Sequence, residues 1–398
     1  MIIEVEFEDL ISLLKRKVSL EKLTRALDMF GTPVDEIEEN VLRVEVPPNR
    51  LDMLSTEGIA RALNGFLGFE KGLPVWNFTS HTIEVEVKKS EIRPFVSFSS
   101  VFGVKMGENI IRSIMQMQEK LHLTAGRNRR KYSIGLYDLD KIKPPIRYMD
   151  LPLSEISFVP LGEDEEMTGE EILEKTEKGK EYKHLVGEKA PVLVDGKGRI
   201  MSMAPIINAE WCKVTENTRN IFIDSTGTEE GTDLMVALVA TSLAERGGKI
   251  GVVVPGPTFL PKPMRVDFGK IKRVVGVEMS NIEIQEALEK MRYGVEGKKI
   301  LIPPYRTDVF SIEDIAEDVA IAYGYENIPF EIPAMEGFGE PLKEIEIENE
   351  YRKLMIGFGF IEVKTFVLTN KELLELGGKP IISVKNPKTK EALSLIHI

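Results

Sequence analysis

The chain has 398 residues, with 64 acidic and 52 basic side chains for a formal net charge of −12, 42% hydrophobic residues, 32 Gly and 22 Pro. That length predicts roughly two to three domains, and the apolar content excludes global disorder. The acidic balance excludes unaided, non-specific nucleic-acid binding, which rests on neutralising phosphates, but leaves room for a local basic patch.

The only cysteine is Cys212, so no intrachain disulfide and no cysteine-rich zinc site can form. Four scattered histidines leave oxygen ligands for any metal. The N-terminus, MIIEVEFEDLISLLKRK, carries acids throughout and lacks a signal-peptide pattern. The longest apolar stretch, Leu234 to Ala244, contains Thr241 and Ser242 and is too short to span a bilayer. The expectation is a soluble, cytoplasmic chain without membrane contact.

Along the chain, Ser19 is a candidate N-cap for a helix that leads to the run Val46 to Gly68, VPPNRLDMLSTEGIARALNGFLG. This run repeats at Ile302 to Gly324, IPPYRTDVFSIEDIAEDVAIAYG, with nine identities in 23 ungapped positions, among them Arg50/Arg306 and Asp52/Asp308. Upstream of the second copy, Ser280 with Glu283 forms a capping box; Ile284, Leu288 and Met291 follow at helical spacing, with Gly294 as the stop. The Pro pairs force extended backbone before each final helix. The reading is one small helical module present twice.

Between the copies, Thr82 to Val87 alternates as a strand, and the basic run Arg127, Arg129, Arg130, Lys131 lies in a loop before a strand at Tyr132 to Leu136. Gly162 to Glu181 reads as an exposed helix entered through the capping box Thr168–Glu171. Ala190 to Met203 reads as a hairpin turning at Asp195-Gly196, Asn220 to Asp224 as a strand, Glu230 to Arg246 as a largely buried helix and Lys249 to Val254 as a strand. After Pro341 a charged helix begins, and Ile361 to Leu368 is a further candidate strand.

The run Ile302 to Pro329, the stretch GRNRRKYSIGLYDLDKI at Gly126 to Ile142, and SMAPIINAEW followed by ENTRNIFIDSTGTE resemble the β subunit of phenylalanyl-tRNA synthetase of the archaeal and eukaryotic type. The resemblance implies an α+β, multi-domain chain. A first winged-helix or DNA-binding-like helical module would occupy residues 1–80, a mixed α/β tRNA-editing domain 81–264, a second such module 265–334, and the incomplete start of a catalytic-core-like domain 335–398. It implies an α2β2 heterotetramer with the α subunit, which charges tRNA(Phe) with phenylalanine using ATP, while the β chain hydrolyses mischarged tyrosyl-tRNA(Phe).

By the same match, the editing pocket falls at Leu193, Ser202, Asn208, Asp224 and Thr226, with Leu193 as an apolar wall, Ser202, Asp224 and Thr226 as polar contacts, and Asn208 orienting the ester or a water. Arg127, Arg129 and Arg130 would touch the tRNA acceptor end, or form a solvated loop. Asp314, Glu317 and Asp318 share a helix face at i, i+3, i+4 spacing. With Asp308 they are the implied Mg2+ site shared with the α subunit; a solvated acidic face is the other reading. No nucleophile is evident, so hydrolysis by a positioned water is expected. The alternative function is a non-catalytic scaffold that docks tRNA or a partner subunit.

Overall fold

The structure, a computed structural model, describes residues 1–332 and, beyond them, 337, 339–364, 366, 368–376, 382–385, 387, 389 and 394–395. Residues 1–329 form one compact unit and residues 330–398 another.

The first unit opens with β1 (Ile2–Glu6), α1 (Phe7–Leu13), α2 (Leu20–Phe30), β2 (Val34–Glu38), β3 (Val41–Glu45) and α3 (Thr56–Phe66). The Ser19 hydroxyl caps α2 by accepting the Lys22 amide, and Ser55 caps α3 by accepting that of Gly58. The strands form a sheet in the order β1-β3-β2.

The central region follows as β4 (Phe78–Thr79), β5 (Val85–Val87), β6 (Phe95–Phe102), α4 (Glu108–Leu123), β7 (Tyr132–Asp138), β8 (Ile146–Pro152), β9 (Ser157–Phe158), β10 (Met167–Thr168), α5 (Gly169–Lys175), α6 (Glu177–Tyr182), β11 (Lys189–Val194), β12 (Ile200–Met203), β13 (Ile207–Asn208), β14 (Ile221–Gly227), α7 (Thr232–Glu245) and β15 (Lys249–Val252). Two five-stranded sheets result, β4-β15-β6-β14-β7 and β13-β12-β11-β8-β5. The period-2 alternation of β14 sorts its side chains between two cores: Ile221 and Ile223 pack in the core that includes α4 and α7, while Phe222 joins the core between the sheets. Helix α7 is apolar all round, as expected for a helix buried between a sheet and neighbouring helices.

The expected single helix over 162–181 is instead two short ones. The Thr176 hydroxyl caps α6 by accepting the Gly179 amide, so the chain restarts there, and Ile172, Leu173 and Tyr182 are buried. The hairpin forms as expected, with the Asp195 carboxylate accepting the amides of Lys197 and Arg199, each at 3.0 Å.

The second copy comprises β16 (Lys262–Arg265), α8 (Phe268–Val275), α9 (Asn281–Lys290), β17 (Gly294–Glu296), β18 (Lys299–Ile302) and α10 (Ile312–Tyr323). Its sheet order, β16-β18-β17, reproduces that of the first copy element for element. The Ser280–Glu283 box is formed; α9 ends at Lys290, and Gly294 opens β17 rather than stopping the helix. The two copies pack closely at Gly65, where a Cβ would lie 2.3 Å from the Lys290 carbonyl oxygen. In the second unit, the charged helix runs from Lys343 to Gly357, and of the strand expected over 361–368 the described residues show only Leu368–Thr369.

At the C-cap of α7, Arg246 joins the central region to the first copy. Its Nη1 and Nη2 donate to Asp9 at 2.7 and 2.6 Å, and its Nε donates to Glu57 at 2.7 Å, with all three side chains nearly buried. Removing Arg246 leaves Asp9 and Glu57 buried without their cation, with only neutral donors, Asn109 Nδ2 on Asp9 and the Ser113 hydroxyl on Glu57. Arg246→Met is therefore expected to destabilise the chain by about 3–5 kcal/mol, measured as a lowered urea midpoint followed by circular dichroism.

Candidate functional site

A cavity of about 390 Å³ opens between the two central sheets and α4, lined among others by Met115, His122, Arg129, Gly135, Tyr137, Ser202, Ile207, Asn208 and Asp224. Its floor follows from strand alternation. Phe222, Asp224 and Thr226 point to one side of β14, and pairing sets Asp224 opposite Gly135 and Phe222 opposite Tyr137 on β7. Across the floor, Ser202 on β12 pairs with Asn208 on β13.

The Tyr137 hydroxyl donates to Asp224 Oδ1 at 2.6 Å and lies 2.9 Å from Ser202 Oγ. The other Asp224 oxygen has no hydrogen-bond partner among the described residues. Gly135 is required here: a Cβ would sit 2.2 Å from Asp224 Oδ1 and 2.3 Å from the Tyr137 hydroxyl. Burial pushes the Asp224 carboxyl up to about 7, against the opposing pull of the Tyr137 hydrogen bond and the Arg93 charge. Burial first, then the adjacent Asp224, holds Tyr137 well above the ordinary phenol range, so it remains a hydrogen-bond donor.

Of the five pocket residues expected from sequence, Ser202, Asn208 and Asp224 line the cavity. Leu193 does not: it is 1% exposed within the core between the sheets, where its strand partner is Ser202. Thr226 is fully buried behind the wall, its hydroxyl accepting from Arg93 Nε at 2.9 Å.

Arg93 and Tyr137 are the residues that sequence reasoning missed. Arg93 is 1% exposed and spends all five N–H donors: Nε on the Thr226 hydroxyl, Nη1 on the Arg129 and Arg130 carbonyls, Nη2 on the Lys131 and Thr226 carbonyls. It thereby braces a loop in which three successive side-chain-bearing residues, Arg127, Asn128 and Arg129, hold φ of 48°, 56° and 61°. Each such left-handed residue costs roughly 1–2 kcal/mol. No motif announces either residue; the buried network of Tyr137 is visible only once β7 and β12 are brought together.

The basic run divides in the fold. Arg127 and Arg130 are exposed. Arg129 is not available to an RNA backbone as expected: it is 8% exposed and donates to the Pro205 and Ile206 carbonyls and to Glu119 at the cavity rim. Nearby, His122 Nε2 accepts the Ile134 amide at 2.9 Å, which fixes the neutral tautomer, and burial lowers its pKa. Cys212 is buried, and burial pushes its thiol up to about 12, so it is no thiolate at neutral pH.

The four acidic residues expected to hold Mg2+ do not converge. Arg306 takes both oxygens of Asp308, at 2.8 and 2.7 Å, and one of Asp318 at 2.7 Å. Asp314 caps α10 by accepting the amides of Phe310 and Ser311, and Glu317 alone is exposed. Among the described residues, no group of three or more acidic, histidine or cysteine side chains could hold a metal. Asp308 and Asp318 are internal counter-ions, Asp314 is a helix cap and Glu317 stands alone, which does not fit the ion.

Because the folded pKa of Asp224 is raised, this group's stability contribution is fully present below pH ~4 and is lost as pH rises through about 7. Asp224→Asn has no such titration. The wild-type-minus-variant stability difference, from urea midpoints, is expected to fall between pH 4 and pH 7 and then level off.

Comparison with known proteins places these features in context. The sequence matches the Phe-tRNA synthetase beta subunit B1 domain over residues 1–69, the B3/4 domain over 104–247 and the tRNA synthetase B5 domain over 264–325. It is 43% identical to the phenylalanine–tRNA ligase beta subunit of Archaeoglobus fulgidus, over 92% of this chain and 71% of that one. It is 41% identical to that of Pyrococcus horikoshii, over 96% of this chain and 74% of that one. A crystal structure of an N-terminal fragment of the phenylalanyl-tRNA synthetase beta-subunit from Pyrococcus horikoshii superposes with a TM-score of 0.76 at 39% identity, covering 81% of this chain and 99% of that one.

Proposed function

The chain belongs to the phenylalanine–tRNA ligase beta-subunit family, and from that membership we propose that its central region hydrolyses tyrosyl-tRNA(Phe) while an α subunit carries out ATP-dependent charging. In this reading the flanking repeats, residues 1–80 and 265–334, are winged-helix-like scaffolds around an editing domain at 81–264, and α and β assemble as α2β2. Any Mg2+ would be held by residues other than Asp308, Asp314, Glu317 and Asp318.

The physical need is specific. A hydrophobic synthetic pocket rejects a substrate that merely adds a hydroxyl by only ~10², whereas a site built to bond that hydroxyl rejects the analogue lacking it by ~10⁴–10⁵. The observation that carries the proposal is the cavity floor. Asp224 and Ser202 already hold one phenol hydroxyl, that of Tyr137, and Asp224 keeps an oxygen free beside a cavity of about 390 Å³. A tyrosyl group entering ring-first can donate its hydroxyl to that oxygen. Phenylalanine would leave it desolvated and unpaired, at a cost of about 1–3 kcal/mol for this one group.

The ester then lies toward the mouth, near Asn208. A water attacks the ester carbonyl carbon, the bond to the ribose oxygen breaks, and a proton of that water passes to the ribose oxygen. The buried, protonated Cys212 takes no covalent part. Arg127 and Arg130, exposed on the braced loop, meet the phosphates of the acceptor end.

Incubation of the full chain with tyrosyl-tRNA(Phe) is expected to release tyrosine. Ser202→Ala and Gly135→Ala should each slow release about 10-fold by disturbing the Tyr137 hydroxyl's bonds to Ser202 and Asp224, while Cys212→Ala retains it. Binding without release would favour the scaffold reading instead. In the same assay, Arg127→Glu with Arg130→Glu is expected to raise KM and flatten its dependence on salt, with kcat nearly unchanged; an unaltered salt dependence would remove these residues from the RNA contact.

A further inference from the structure

The two copies of the repeat carry the same Pro-Pro-x-Arg-x-Asp turn, and in both the arginine grips the aspartate two residues later with two hydrogen bonds. Arg50 donates Nε and Nη2 to Asp52, each at 2.9 Å, and Arg306 donates Nε and Nη2 to Asp308. The copies then differ. In the second, Arg306 receives an additional carboxylate from Asp318 on α10. In the first, the aligned position on α3 is Ala62, which has no charge to offer.

Beside Ala62 lies a cavity of about 10 Å³, lined by Arg50, Asp52, Arg61, Ala62, Met291, Arg292 and Tyr305. That figure is the space open to the centre of a water-sized sphere, which admits one small ion. Its lining carries three guanidinium groups and one carboxylate. Arg61, Arg292 and Tyr305 are 2%, 4% and 2% exposed, yet Arg61 Nε and Nη1, Arg292 Nε and the Tyr305 hydroxyl have no hydrogen-bond partner among the described residues. The nearest other carboxylates stand off: Glu245 is 3.6 Å from Arg61 Nη1, and Glu70 is 3.8 Å from Arg292 Nη2. The Arg61 face is taken by the Tyr305 ring, 3.7 Å away, so its unpaired donors lie in the guanidinium plane.

Arg61 Nη2 still donates to the Asp52 carbonyl at 3.3 Å and Arg292 Nη1 to the Glu70 carbonyl, but the remaining buried donors are costly to leave unpaired. Every unpaired group here is able to donate, and the charge around the cavity is positive. We propose that this cavity binds one small monovalent inorganic anion of chloride's size, held by Arg61, Arg292 and Tyr305 beside Ala62, the residue aligned with Asp318 of the second copy. The anion ties α3 of the first copy to the Met291–Tyr305 segment of the second.

The test uses bromide as the probe on the full chain. At matched ionic strength, sodium bromide is expected to raise the thermal midpoint saturably above that in sodium gluconate, whose anion is too large to enter. Crystals grown in bromide should show an anomalous-scattering peak beside Ala62. Tyr305→Phe should weaken half-saturation by about tenfold. Ala62→Asp supplies the carboxylate within the chain and should abolish the response to bromide. Equal wild-type midpoints in bromide and gluconate, or a water without anomalous signal in the cavity, would overturn the proposal. So would a folded Ala62→Asp variant that responds as the wild type does. If that variant does not fold, the wild-type bromide measurements decide alone.

Discussion

The candidate site depends on one buried guanidinium. Among the described residues Arg93 pairs with no carboxylate; its five donors all end on carbonyls or on the Thr226 hydroxyl. Burial lowers its pKa to about 10, which still leaves it charged at neutral pH. A cation solvated wholly by backbone dipoles holds those dipoles in place, because releasing any one of them exposes an unpaired charge in a dry interior. The dipoles belong to the left-handed turn at 127–129, its continuation to Lys131, and the end of β14. Strain in that turn is sustained because the surrounding structure over-determines it. The same brace aims the Arg129 side chain at the cavity rim and leaves Arg127 and Arg130 facing solvent.

The duplicated modules show how one scaffold takes two internal chemistries. Topology, sheet order and the Arg–Asp turn are common to both. Where the second copy has Asp318, which accepts from both Tyr293 and Arg306, the first has Ala62 beside a patch rich in arginine. Asp308, Asp314 and Asp318 are therefore better described by what they hold inside the module than by what they could hold outside it. Of Asp308, Asp314, Glu317 and Asp318, only Glu317 is exposed, and among the described residues no other acid joins it to form a metal site.

The duplicated architecture was legible from sequence, since Pro pairs, serine caps and capping boxes act locally, and each of Ser19, Thr168 and Ser280 caps the helix it was expected to cap. Ser202, Asn208 and Asp224 were reached through family resemblance, and alternation along β14 explains why Asp224 faces the cavity. Leu193 shows the limit of such reasoning. Being one strand away from Ser202 in register does not put a side chain on the cavity, because the sheet faces a core there. Arg93 and Tyr137 were not legible at all, since their partners come from segments 36 to 133 residues away. Arg129 was misread for a related reason: a run of like charges in a loop suggests exposure, but the left-handed turn directs Arg129 inward while Arg127, Asn128 and Arg130 are exposed.

Under the proposed editing function, the raised pKa of Asp224 and the selectivity of the pocket have one origin. Burial disfavours the ionised carboxylate, and it equally disfavours any bound ring that covers the carboxylate without bonding to it. A more open site would restore Asp224 to an ordinary carboxylate range, but water would then satisfy it when phenylalanine entered, and discrimination would fall. A drier site would keep it protonated through neutral pH, and it would then offer a proton as well as accept one. A value of about 7 lies between these limits. There the incoming phenol can be bonded by either form of Asp224, because a phenol hydroxyl both donates and accepts. A plain benzene ring can be bonded by neither, so discrimination against it persists on both sides of neutrality, while the affinity for the phenol changes with the form that receives it.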